Sequence, residues 1–300
     1  MSSVKAWLEA FRLRTLPLAL STIILGSFLA AFRHDFHWSV LAWAVLTTLF
    51  LQILSNLAND YGDAVSGVDN HDRIGPKRSL QSGTLTMQQM KMAIVLFVVL
   101  SLISGVFLLV IGTKMLGFSS GLIMFAIGVL AILAALKYTM GKNPYGYSGF
   151  GDVGVFIFFG LIGVMGTYFL HTQSITLPEL LPAVTMGLFS TGVLNLNNMR
   201  DRENDAACGK RTLVVKIGAY QAKVYHALLI SGGILASIIY INMIDASVYK
   251  WMFMVTIPLF IRNLISVWKN KNATALDPEL KWLALTTLSF SILFGIGLVI

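Results

Sequence analysis

Two stretches of this 300-residue chain set acids and bases at spacings that can do chemistry. The first holds Asn56, Asp60 and Asp63, spaced i, i+4, i+7, and the second holds Asn197, Asp201 and Asp205, spaced i, i+4, i+8. On a helix each set lies along one face. A basic pair follows each, as Lys77-Arg78-Ser79-Leu80 and as Lys210-Arg211-Thr212-Leu213. The strings recur about 140 residues apart and suggest two similar halves, although short polar strings also recur by chance. Four carboxylates brought together repel and raise one another's pKa. A divalent cation relieves that repulsion. Hard oxygen donors suit magnesium, which takes few carboxylates and completes its shell with water and phosphate oxygens. Lys77, Arg78, Lys210 and Arg211 would meet the phosphate charge left over. Acids, metal and basic clamp together describe a diphosphate site. The plainer alternative is a set of solvated helix ends with local ion pairs.

The elements that must position these residues follow from composition. Hydrophobic residues make up 56% of the chain and charged residues 12%, with mean hydropathy +0.75. A soluble domain carries roughly 25% charge. The chain therefore reads as an integral membrane protein, and disorder, a disulfide scaffold or a soluble nucleic-acid binder is excluded. Its single cysteine, Cys208, forbids an internal disulfide. A bilayer core takes about 20 apolar residues as a helix. Nine such runs lie near 16–32, 39–60, 91–111, 116–137, 151–171, 179–200, 220–242, 248–268 and 282–299. Backbone polar groups must be satisfied within each run, so helices are expected and strand alternation is absent. The expected fold is an all-α bundle of about nine transmembrane helices around a central cavity, with residues 1–300 as one domain.

The 22 Lys and Arg residues orient it. With the N-terminus cytoplasmic, nineteen fall inside and only Arg33, Lys114 and Lys250 fall outside, as the positive-inside rule requires. The net charge of +8 then reflects topology and some attraction to anionic lipid. Leu29-Ala30-Ala31 offers a signal-cleavage pattern, but the polar Arg12–Pro17 stretch favours an uncleaved first helix. Eight of the fourteen acids lie in or beside three inner loops, and seven of those eight are Asp. A merely solvated loop would scatter Glu and Lys.

At these residues the chain resembles the UbiA superfamily of membrane prenyltransferases. That family carries Asn-Asp-x-x-Asp after its second span and Asp-x-x-x-Asp after its sixth, matched by Asn59-Asp60-Tyr61-Gly62-Asp63 and Asp201-Arg202-Glu203-Asn204-Asp205. Three stretches are similar to the branch acting on 1,4-dihydroxy-2-naphthoate in menaquinone biosynthesis. They are Arg12-Leu13-Arg14-Thr15-Leu16-Pro17, Asn56–Asp63 with Asp72–Arg78, and Asn195–Asp201 running on to Leu213. One departure is that the next acid after Asp63 is Asp69, six residues on, where many relatives have one closer.

The resemblance implies transfer of a polyprenyl group from its allylic diphosphate to dihydroxynaphthoate, with loss of carbon dioxide, giving a demethylmenaquinone. It implies Mg2+ on Asp60, Asp63, Asp201 and Asp205. Diphosphate would be met by Asn56, Asn59, Arg73, Lys77, Arg78, Lys142, Lys210 and Arg211. Lys137, Tyr138, Asn197 and Arg14 are expected around the substrates, Arg14 towards the acceptor carboxylate. An allylic cation needs a dry pocket with π faces, which Tyr138, Tyr145, Tyr147 and Phe150 can supply. The setting implied is the bacterial inner membrane with the site facing the cytoplasm, lipid around the bundle, and no obligate protein partner. Two readings stay open: another aromatic acceptor (4-hydroxybenzoate, homogentisate or haem), and a secondary transporter for an organic anion. A transporter places its ionisable groups near the midplane, whereas here they crowd one face. The glycines from Gly151 to Gly166 suggest close helix packing, and Asp152 at their head a cap or supporting group. The five histidines form no spaced pair that argues for zinc or haem.

Overall fold

A computed structural model describes residues 3–70, 74–113 and 117–300. Arg73, Asp72 and Lys114, singled out above, lie outside the described residues. Nine helices long and apolar enough to cross a membrane are present among those described, with no strand. A short helix α1 (Ser3–Phe11) precedes the first span, α2 (Leu16–Phe32). Then follow α3 (Trp38–Val65), α4 (Met87–Gly112) and α5 (Phe118–Lys137). The fifth span joins α6 (Gly151–Val155), a π-helical stretch (Phe156–Gly166) and α7 (Thr167–Thr172) end to end. The chain continues through α8 (Leu180–Ala207), α9 (Leu213–Met243), a 3-10 segment (Val248–Thr256) leading into α10 (Ile257–Lys269), and α11 (Leu276–Val299).

Local chemistry sets several boundaries. Thr86 and Gln89 form a reciprocal capping box at the head of α4. Thr212 caps α9 by accepting from the Val215 amide. Gly218, at φ 82°, breaks α9 after its first turn. Arg12 adopts a left-handed φ of 49° and ends α1, turning the chain from the surface helix into the first span.

Each half has its own apolar core. Leu54, Leu57, Met90, Ile94 and Phe97 pack with Ala6 and Ala10 of α1 in the first half. In the second, Phe189, Phe253, Phe260, Phe290 and Phe294 form an aromatic cluster, with the Phe189 and Phe260 centroids 4.4 Å apart. The helices α2 and α11, and α3 and α4, pack together and close the ring. Apolar side chains such as Val95, Leu96, Ile123 and Leu130 remain exposed on α4 and α5, where a bilayer would cover them.

Several spans run further than their hydropathy predicts, three of them at the polar end that carries the motif residues. The second was expected to end near 60 and the sixth near 200, yet α3 reaches Val65 and α8 reaches Ala207. The last was expected from 282 but α11 begins at Leu276. Hydropathy stops where polar residues begin, whereas the helices continue as polar turns at the end of the bundle. The motif acids thus stand on helix, and Asp277 and Lys281 join the first turns of α11.

Candidate active site

The last turns of α3 and α8 meet at one end of the bundle around a polar chamber of ≈ 190 Å³. Asp63, Asp201 and Asp205 line it, with Asn59, Asn197, Asn204, Arg78 and Lys210. Acids from both halves therefore face one space, although of the first-half stripe Asn56, Asp60 and Asp63 only Asp63 reaches it. The Lys210 ammonium lies 3.4 Å from Asp205 and 5.1 Å from the centroid of the Tyr147 ring. Its pKa is raised: burial works against the charge, and Asp63, Asp205 and Asp201 outweigh it. One cation thus feels carboxylates of both halves.

Arg78 does the same work within the first half. Its guanidinium pairs with Asp60, with Asp63 at 3.2 Å and with Asp69 at 3.3 Å. Asp60 also holds Arg12, whose left-handed backbone aims it back at α3. Asp60 is buried and is not among the residues lining the chamber. Asp69, the acid displaced in the motif, is brought home by the turn after Val65 and serves Arg78. In the second half Arg200 is fully buried and binds Asp201 at 2.6 Å, the Asn197 side-chain oxygen at 2.9 Å and Asp277 at 2.5 Å.

The two basic pairs are not equivalent. In the first, Lys77 is exposed and Arg78 points inward; in the second, Lys210 points inward and Arg211 is exposed. Arg211 meets the chain instead through its amide, which donates to the Tyr147 carbonyl. Lys137 and Lys142 are exposed and do not line the chamber. Asn56 is spent on structure, donating to the Phe11 carbonyl at 2.9 Å and to Thr15 at 3.0 Å. None of these five side chains lines the chamber in this conformation: the Asn56 amide is held by Phe11 and Thr15, and positive charge near the membrane edge is cheaper left in water unless a buried acid draws it in. Sequence reasoning did not assign chamber roles to Arg12, Arg200, Gln52, Asn198 and Lys281. For the two arginines the signal was present, since each stands within four residues of an expected site residue.

The donor set suits a hard divalent cation. Asp205 carries a buried oxygen, Oδ2, with no hydrogen-bond partner, which a cation would satisfy. Among the described residues no three His, Cys, Asp or Glu side chains close around one point. The acids therefore fit an ion completed by water and phosphate oxygens, the habit of magnesium, and not a closed protein cage.

An apolar groove of ≈ 360 Å³ opens from the chamber. The two share Gln52, Asn59, Tyr138, Val155, Phe159 and Leu194. The groove runs between α3, α4, α5 and the π-helical stretch, and is lined by Val106 and Phe125, which are also exposed on the outer surface. It thus reaches the lipid side. At the junction the Tyr138 and Tyr145 rings meet edge-on, 5.3 Å apart. Burial pushes the Tyr145 hydroxyl up to about 12 and holds Tyr138 well above its ordinary value, so both stay neutral. Burial and then Asp63 raise Tyr147, which donates to Asp63 at 2.6 Å. Phe150 is exposed.

A polar, acid-and-base chamber joined through tyrosines to an apolar groove binds a molecule with a highly charged head and a greasy tail. Comparison with known proteins agrees. The chain is 43% identical to 1,4-dihydroxy-2-naphthoate octaprenyltransferase of Haemophilus influenzae, over 99% of this chain and 96% of that protein. It is 41% identical to the protein of the same name from Escherichia coli, over 99% and 96%. Its fold matches a UbiA homologue from Aeropyrum pernix with a TM-score of 0.69 at 15% identity, covering 95% of this chain and 97% of that one. A UbiA homologue from Archaeoglobus fulgidus bound to GPP and Mg2+ matches with 0.63 at 15% identity, covering 98% and 99%. The model of the UbiA prenyltransferase family matches residues 19–292, and the chain, a multi-pass integral membrane protein, belongs to that family.

Proposed function

We propose that this protein transfers a polyprenyl group from its diphosphate to 1,4-dihydroxy-2-naphthoate, with its site at the cytoplasmic side of a bacterial inner membrane and the whole chain as one catalytic unit. The observation that carries the reading is a chamber lined by Asp63 of the first half and by Asp201, Asp205 and Lys210 of the second, continuous with an apolar groove. The names of the two relatives at 43% and 41% identity support the acceptor.

The diphosphate sits between Arg78 and Lys210, whose charges oppose the negative charge that develops on the leaving group. Asp63, Asp201 and Asp205 would hold Mg2+, which when bound would neutralise phosphate charge as a Lewis acid, while Asp60 is taken up by Arg12 and Arg78. The groove takes the isoprenoid tail and lets it pass to the lipid. Tyr138 and Tyr145 place π faces where C1 must lie and keep water from the allylic cation. The C1–O bond breaks with its electron pair on diphosphate, and the ring forms the new bond to C1. The ring–carboxylate bond then breaks, its pair returns to the ring, and carbon dioxide leaves. The product is at the quinol level, so no oxidant is needed.

The test is diphosphate release by purified protein given a polyprenyl diphosphate, a panel of aromatic acceptors and graded Mg2+. Turnover with dihydroxynaphthoate that requires Mg2+ is expected. Turnover confined to another ring would replace the acceptor. No turnover, with counterflow of an organic anion in vesicles, would replace the reaction by transport.

A further inference from the structure

On a different wall of the chamber stand cations that the diphosphate does not need. Arg78 and Lys210 come from the segments after α3 and α8, whereas Arg14 comes from the entry to α2 and Lys281 from α11. Lys281 lies one turn beyond Asp277, on the same helical face. It is exposed, lines the chamber, and makes no ion pair among the described residues. Arg14 is 42% exposed and touches Asp277 Oδ2 at 3.3 Å. The other oxygen of Asp277 binds the buried Arg200 at 2.5 Å. Asp277 is therefore anchored without Arg14, and the contact to Arg14 is the looser one.

We infer that Arg14 and Lys281 receive the carboxylate of the aromatic acceptor, and that Asp277 is an internal carboxylate which the acceptor displaces from Arg14. The inference rests on the function proposed above. Leu18, Leu280 and Ala284 line the same wall and give the ring an apolar bed. Two anionic substrates must also be kept apart, and separate cationic walls do this. The exposure of the pair suits the chemistry. A carboxylate that leaves as carbon dioxide must give up its ion pair. A half-solvated guanidinium and an ammonium in water hold it weakly, whereas a dry group such as Arg200 would hold it and oppose the loss. The rim thus recognises the carboxylate without trapping it.

The experiment measures KM for dihydroxynaphthoate and for polyprenyl diphosphate, and the preference for dihydroxynaphthoate over 1,4-dihydroxynaphthalene, the same ring without the carboxylate. Arg14→Gln and Lys281→Ala should each raise the acceptor KM about fivefold, the size of one exposed ion pair. The KM for polyprenyl diphosphate should stay within about twofold. The preference for the carboxylated ring should fall by the same factor. Arg14→Lys should restore most of it, and Asp277→Asn should lower the acceptor KM. Normal turnover with an unchanged preference in every variant, or equal rises in both KM values, overturns the assignment alone. Absence of turnover with dihydroxynaphthoate in the unaltered protein overturns the proposed acceptor and this assignment with it.

Discussion

Tyr147 joins the two halves of the site: its hydroxyl donates to Asp63 of α3 at 2.6 Å, and its ring lies under Lys210, from the turn after α8. It is the loop between the fourth and fifth spans that supplies this bridge. Tyr147→Phe keeps the ring beneath the ammonium and removes the donor from a carboxylate. A hydrogen bond to a charged group is worth about 1.5–3 kcal/mol, so a fall in kcat/KM of roughly tenfold to a hundredfold is expected. Tyr147→Ala, which also removes the ring, should fall further. Equal activity of Tyr147→Phe and the unaltered protein would show that Asp63 does not depend on this bond.

The structure separates acids that the motif treats alike. Asp60 lies beneath the chamber holding Arg12 and Arg78, whereas Asp205 faces it with an unpartnered oxygen. Removing one side of a buried ion pair costs about 3–5 kcal/mol. Asp60→Asn should therefore lower the thermal midpoint in detergent and abolish activity, because Arg12 loses its partner and Arg78 is left with Asp63 and Asp69 alone. Asp205→Asn weakens the buried pair with Lys210 and should also lower the midpoint, but it should in addition raise the Mg2+ concentration needed for half-maximal rate. An Asp60→Asn protein of normal stability whose only defect is a higher Mg2+ requirement would return Asp60 to the role of ligand.

The fold was legible because the bilayer enforces it. Long apolar runs and the segregation of basic residues leave helices as the one solution, and the span from 16 to 32 matches α2, Leu16–Phe32. In the second half the expected face survives, since Asn197, Asp201 and Asp205 all line the chamber, whereas in the first half only Asp63 of the expected stripe does, because Asn56 and Asp60 are taken up by α1 and its exit turn. What one chain could not give was the choice among cations. Lys77 and Lys210 hold the same place in their two strings, yet only Lys210 turns inward. That choice depends on which buried acid lies within reach, a tertiary fact. Asp277 and Lys281 were missed for another reason, since a hydropathy window assigns them to a loop although they ride on helix.

Gly62 tests how the tyrosines are placed. A Cβ there would meet the Thr139 carbonyl oxygen at 2.5 Å. Thr139 in turn donates to the Ala58 carbonyl at 2.9 Å, seating the turn after α5 on α3 beside Asn59. Gly62→Ala must push this turn off α3 and carry Tyr138 with it. Overpacking of this kind costs about 1–3 kcal/mol. The expected result is a lower thermal midpoint together with a loss of turnover larger than the loss of prenyl-diphosphate binding. Full turnover in Gly62→Ala would mean that the turn moves without disturbing the junction.

At the far end of α8 from the acids, Glu179 is fully buried and accepts from Arg33 at the end of α2 through Nε at 2.9 Å and Nη2 at 2.6 Å, with Thr176 as a further donor. Burial alone would penalise a carboxylate here, so the two-pronged guanidinium contact is what keeps it tolerable. Arg33→Met leaves Glu179 without its counter-charge and should cost about 3–5 kcal/mol, read as a drop in the thermal midpoint. Adding Glu179→Gln removes the stranded charge and should recover part of the loss, because a neutral amide is cheaper to bury than an unpaired ion. Turnover per folded molecule should stay near normal in both proteins, since the pair lies at the opposite end of α8 from the chamber. A double variant no more stable than Arg33→Met would assign the stabilisation to packing of the arginine stem instead of to the ion pair.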